Sequence, residues 1–63
     1  MNVGRKVKEF REKKKMNQAE LAKAVGVSPP MINQIERGTR NPSIQTGYLI
    51  AEVLGCSIED LLN

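Results

Sequence analysis

The 63-residue sequence predicts an all-α fold, a compact domain of five short helices, and three observations point to it. A polar capping residue and a glycine alternate along the chain, at Asn17 and Gly26, Ser28 and Gly38, Ser43 and Gly55, which is how successive helices begin and end. The apolar residues between them fall at helical spacing, and no alternating strand pattern competes. The length suits one domain, residues 1–63, in which only about 60% of the unfolded chain's surface is buried, so regular helix packing or self-association must supply the stability.

Each element follows from its punctuation. Helix one spans about Val3 to Lys14, with Val3, Val7 and Phe10 at helical spacing. Asn17 and Glu20 form a capping box for helix two: the asparagine accepts from a first-turn N–H and the glutamate reaches back to the Asn17 N–H. Leu21, Ala22 and Val25 are its buried stripe, and Gly26 supplies the left-handed residue that stops it. Helix three opens with two prolines after Ser28. Proline is tolerated in a first helical turn, where its missing N–H has no intrahelical partner. Since Pro30 cannot donate, the Ser28 hydroxyl is expected to cap Met31. A residue before proline is pushed away from helical angles, so the start stays open between Pro29 and Pro30. Gly38 ends this helix, Asn41, Pro42 and Ser43 turn the chain, and helix four covers Ile44 to Leu54. Counting about 100° per residue, Ile44, Gly47, Tyr48, Ala51 and Leu54 face the core with Ile50 at the edge, while Leu49 and Val53 face away. Gly55 stops helix four, and Ser57 with Glu59 and Asp60 starts the last one, placing acids where the helix dipole favours them.

Composition narrows the function. Cys56 is the single cysteine and histidine is absent, which excludes an internal disulfide and argues against a metal site; no cofactor or small-molecule ligand is indicated. No apolar run approaches the roughly 20 residues that span a bilayer, and Met1 to Lys15 has no signal region, so a cytoplasmic protein without membrane contact is expected. The net charge of +3 is polarised: residues 1–40 hold all ten basic residues against four acids, and residues 41–63 hold Glu52, Glu59 and Asp60 with no base. A basic end facing a polyanion and an acidic end facing away suit nucleic-acid binding. Lys13, Lys14 and Lys15 alone read as a solvated run that favours the C-terminal dipole of helix one.

Helix three has two faces. Met31, Ile32 and Ile35 share one side, and Pro30, Asn33, Gln34 and Arg37 share the other. Polar helix faces are usually just solvated. Here, however, only Gly26, Val27 and Ser28 separate helices two and three, the short glycine-bearing turn of a DNA-binding helix-turn-helix unit over about residues 18–37.

The segments "VKEFREKKKMNQAELAKAVGVS", "INQIERGTRNPS" and "VLGCSIEDLL" resemble the Cro/cI-type (XRE) helix-turn-helix repressor family over about Val7 to Leu62. The resemblance implies a five-helix, lambda-repressor-like domain encoded by a bacterium or phage and associated with the nucleoid. It implies an interhelix ion pair of Arg11 with Glu36, and the wheel agrees, since Glu36 falls at the rim of the core. Such a pair orients helices more than it stabilises them. Asn17 and Gln18 correspond to the family's first phosphate-contact segment, where Gln18 also buttresses the recognition helix and the helix N-terminus aims free N–H groups at a phosphate. Thr39, Arg40 and Asn41 correspond to the second segment, and Arg37 joins the backbone contacts. Pro29, Pro30, Asn33 and Gln34 match the base-reading positions. Gln34 can donate to and accept from adenine together, whereas the prolines offer only apolar contact, as to a thymine methyl.

The reading that unites charge, turn and polar face is a sequence-specific, double-stranded-DNA-binding transcriptional regulator, a repressor that occludes its operator. The alternative is an antitoxin or protein-interaction module built on the same fold. An enzyme is disfavoured, because no histidine is available as a general base and Cys56 occupies an apolar position. Single-strand or RNA binding is disfavoured because Tyr48 is the only aromatic residue besides core Phe10. Readers of two half-sites about 34 Å apart are two-fold dimers, and Leu49, Val53 and Leu62 are expected to line a homodimer contact at the acidic end.

Overall fold

In a computed structural model, which describes residues 3–63, the chain forms helices α1 (Val3–Lys13), α2 (Gln18–Val25), α3 (Pro29–Arg37), α4 (Ile44–Leu54) and α5 (Ile58–Leu62). Met1 and Asn2, included in the expected domain, lie outside the described residues. The helices start where the caps dictate. Asn17 Oδ1 accepts from the Glu20 N–H at 2.7 Å, and the Asn17 N–H donates to Glu20 Oε1 at 2.8 Å. Ser28 is extended at φ −81°, and its hydroxyl accepts from the Met31 N–H at 3.3 Å, so α3 begins at Pro29 and not one residue later. Ser43 caps Thr46, and Ser57 with Asp60 forms a second capping box.

Stops follow the same logic. Gly26 at φ 90° and Gly38 at φ 80° take left-handed conformations that a side chain disfavours, and each turns its N–H back onto the helix it closes. The first helix ends without a glycine. Lys15 itself adopts φ 56°, which lets the Met16 N–H reach the Arg11 carbonyl at 3.2 Å.

Every helix contributes to the core, whose fully buried members are Val7, Leu21, Ala22, Ile32, Ile35, Ile50 and Leu61, with Val25, Ala51 and Leu54 nearly so. Helix α3 lies across both α1 and α2, while α4 rests on α2 and α5. The buried stripe of α1 is Gly4, Val7 and Arg11; Val3 and Phe10 are half-buried at its margins. Gly4 permits a close approach of α1 to the α3 backbone. A Cβ there would run into the Ile35 carbonyl oxygen and lie 2.8 Å from that of Glu36.

Helix α4 is rotated relative to the expectation. Its buried face is Gly47, Ile50, Ala51 and Leu54, so Ile50 is central, while Ile44 and Tyr48 are 80% and 57% exposed. The cause is α5. Gly47 has no side chain, and Ile58 Cδ1 comes within 3.3 Å of where a Cβ would stand, which draws α5 over that face and leaves Ile44 and Tyr48 beyond its edge. Val53, expected to face away, is half-buried against the core, whereas Leu49 and Leu62 are exposed.

Gly4→Ala should destabilise the domain by about 1 to 3 kcal/mol, because the added methyl meets immovable α3 backbone and that outweighs alanine's better helix propensity. In urea titration an unchanged or raised midpoint would contradict the close approach.

Candidate nucleic-acid interface

The site is organised around the Glu36 carboxylate at the C-terminal end of α3. Arg11 meets it in a bidentate pair, Nε to Oε2 at 2.7 Å and Nη2 to Oε1 at 3.1 Å, with only 10% and 3% of the two side chains exposed. Its hydrogen bond to Glu36 raises the Arg11 pKa, so the guanidinium stays charged despite burial. The remaining guanidinium nitrogen, Nη1, donates to the Met16 carbonyl at 2.8 Å and secures the α1–α2 connection. Gln18, the first residue of α2, donates through Nε2 to Glu36 Oε1 at 3.0 Å. Its own Oε1 accepts from Asn33 Nδ2 at 3.4 Å. Three helices therefore converge on one carboxylate. Among the described residues no buried side-chain nitrogen or oxygen is left without a partner.

This arrangement sets the outer surface of α3. Pro29, Pro30, Gln34 and Arg37 are exposed, and Asn33 is half-buried where the two helices meet. The Arg11–Glu36 pair expected from the resemblance is present, and Gln18 is hydrogen-bonded to both Glu36 and Asn33. The link between Gln18 and Asn33 has no sequence signal, because residues 15 apart meet only through the crossing of α2 and α3. The backbone approach at Gly4 was equally hidden; a lone glycine inside a helical pattern was its only trace.

The flanking residues are partly committed. Asn17 Oδ1 and N–H are engaged in the capping box, which leaves the Asn17 side-chain amide nitrogen and the N–H groups of Gln18 and Ala19 as donors at the start of α2. The Thr39 hydroxyl donates to the Gln34 carbonyl at 3.2 Å and so closes the end of α3. Arg37, Arg40 and Asn41 are exposed, and the two arginines form no ion pair among the described residues. On the far side, burial and the neighbouring Asp60 push the Cys56 thiol up, which keeps it protonated and weakly nucleophilic at neutral pH. No helix among the described residues is long and apolar enough to cross a membrane.

A family model described as helix-turn-helix matches residues 7–61. An uncharacterised HTH-type transcriptional regulator of Archaeoglobus fulgidus is 48% identical over 56 residues, spanning 89% of this chain and 79% of that protein. The structure of SinR, a master regulator of biofilm formation, in complex with DNA superimposes with a TM-score of 0.91 at 35% identity, covering 97% of this chain and 98% of that one. The P22 c2 repressor bound to a synthetic operator superimposes with a TM-score of 0.92 at 34% identity, covering 97% and 92%. This chain spans 56% of the full-length SinR of Bacillus subtilis.

Glu36→Ala should cost about 3 to 5 kcal/mol, since it strands a buried guanidinium, whereas the double change Arg11→Met with Glu36→Leu should retain more stability than either single loss. Chemical denaturation of the variants checks this: a loss under about 1 kcal/mol for Glu36→Ala would show that the pair is not structural.

Proposed function

The chain belongs to the helix-turn-helix family of DNA-binding transcriptional regulators, and from that membership we propose that it is a cytoplasmic repressor that docks α3 in the major groove of an operator with two half-sites. The observation that carries this reading is the outward face of α3, clamped from behind by Glu36, Arg11 and Gln18. A reading helix must hold its side chains in fixed register against base edges, and a carboxylate shared by three helices supplies that rigidity.

Gln34 is the principal base reader. Exposed in the middle of α3, its amide can donate to N7 and accept from N6 of one adenine. Pro29 and Pro30 contribute apolar contact at the leading end of the helix, and Asn33 reads beside Gln34. Phosphates are met on two sides. The N–H groups of Gln18 and Ala19 and the amides of Asn17 and Gln18 serve one strand; Arg37, Arg40 and Asn41 serve the other, with Thr39 holding their loop against α3. The excess of basic residues in positions 1–40 provides the long-range attraction. Repression follows from occupancy alone.

Two copies assemble through the acidic end. Exposed Leu49 and Leu62, extended by Tyr48 and Ile44, form the apolar contact, with half-buried Val53 at its margin. Glu52 and Glu59 border the same surface and must stay at the solvated rim, because like charges across a two-fold axis repel.

Gln34→Ala should weaken operator binding by about 1 to 3 kcal/mol and relax preference at one base position, while Arg40→Ala should weaken operator and random DNA alike and lower the salt slope by about one. Selection of bound sequences together with a salt titration separates the two; an unchanged profile for Gln34→Ala would remove the proposed base contact. Leu49→Glu should leave the domain folded yet weaken dimer and operator binding together, as read by analytical ultracentrifugation with and without a two-half-site duplex. Equal assembly of variant and parent would exclude Leu49, and a folded parent that never dimerises, with or without the duplex, would overturn the proposed self-contact.

A further inference from the structure

An apolar cleft of about 590 Å³ opens between the N-terminal half of α1, the connection from α3 to α4, and α5. Its floor is the core itself, where Val7, Ile35, Ile50 and Leu61 come to the surface of the cleft. Half-buried Val3 and Ile58 and exposed Ile44 and Leu62 form its walls. Small-molecule sites commonly measure ~300–1,000 Å³ and combine apolar walls with a few polar groups that orient the ligand. The sequence indicates no such ligand, because the cleft exists only where four separate segments meet.

The polar end of the cleft decides what fits it. Arg40 is the only charged residue among the described residues that line it, and none of them is acidic. Arg40 is exposed and forms no ion pair among the described residues, so its guanidinium faces an anion with no carboxylate competing for it. The planar fork of that group matches a carboxylate in two parallel hydrogen bonds. None of the lining residues is aromatic, which gives a flat ring no stacking surface, whereas branched aliphatic walls suit an alkyl chain. We propose that this cleft binds a free aliphatic carboxylate of medium chain length, with its tail over Val7, Ile35, Ile50 and Leu61 and its headgroup on Arg40. Because Arg40 also belongs to the phosphate-contacting loop, ligand and DNA compete for one guanidinium. The competition rests on the DNA-reading function proposed above; the ligand site does not. Ile44 and Leu62 are shared with the proposed contact between copies, whereas Val3, Val7 and Arg40 lie outside it.

Octanoate, hexanoate, octanol and octylamine, each below its micelle-forming concentration, are titrated into the parent, Arg40→Gln and Val3→Phe while backbone amide shifts are followed by NMR. Val3→Phe fills the cleft from its wall. Arg40→Gln changes an exposed position, so the charge comparison survives if the phenylalanine loosens α1. Octanoate should move the amides of Val7, Ile35, Ile50 and Leu61 and bind about tenfold more tightly than hexanoate, because two further methylenes are buried. It should also bind more tightly than octylamine. Arg40→Gln should weaken octanoate about three- to fivefold, the range of an exposed charge pair, and leave octanol unchanged. Val3→Phe should weaken octanoate and octanol alike. On operator DNA, saturating octanoate should lower the parent's affinity relative to equal acetate and reduce its salt slope by about one, with no such effect on Arg40→Gln. Octanoate shifts scattered over the surface, or equal affinity for octanoate and octylamine, would overturn the site. Octanoate bound in the cleft with operator affinity unchanged would overturn the competition. A parent that binds octanoate in the cleft but no DNA would uphold the site and overturn both the DNA-reading function and the competition.

Discussion

The structure depends on how one carboxylate is satisfied in a place where water hardly reaches. Glu36 must end α3 against α1, and only 3% of its side chain is exposed. An isolated buried carboxylate would cost several kcal/mol, so its position is tenable only with charge and hydrogen bonds supplied together. Arg11 brings the charge in bidentate form, and Gln18 brings a third hydrogen bond. Because these partners come from α1 and α2, satisfying Glu36 simultaneously fixes the crossing of three helices. An apolar substitute would fill the space yet specify no such angle.

A chain of this size has few other means of fixing geometry. It has one cysteine and no histidine, so neither a disulfide nor a histidine-built metal site supplements the core. Local order compensates. Four helices carry side-chain N-caps, each worth about 1 kcal/mol, and two of those are reciprocal boxes. Short connections between capped ends leave little loop entropy to overcome. The pair of prolines works in the same direction, since both restrict the unfolded chain where α3 must begin.

Two surfaces of the molecule are built on opposite principles. On the outer side of α3 the polar side chains are restrained, with half-buried Asn33 and Gln18 tied into a network and Thr39 closing the helix. On the outer side of α4, Ile44, Tyr48 and Leu49 are exposed beside Glu52 and Glu59. Restrained polar groups suit recognition of a patterned polyanion. Bare apolar groups suit association with protein.

The sequence by itself determined the number of helices, most of their ends and the turn between α2 and α3, because caps, prolines and left-handed glycines act within a few residues of where they stand; the start of α3 at Pro29 and the end of α1 at a left-handed Lys15 came from the structure. It also revealed the charge polarity and, through family resemblance, the partnership of Arg11 with Glu36. The faces of α4 were less legible: a wheel centred on Ile44 turned Tyr48 inward, whereas the placement of α5 over Gly47 decides which side is covered. Only the tertiary structure could show that Gly4 lies against α3 backbone, or that Gln18 hands its carbonyl to Asn33. Those contacts join residues far apart in the chain, and their existence turns on interhelix distances of a few tenths of an ångström, which follow from the packing of all five helices together and not from the propensity of any one.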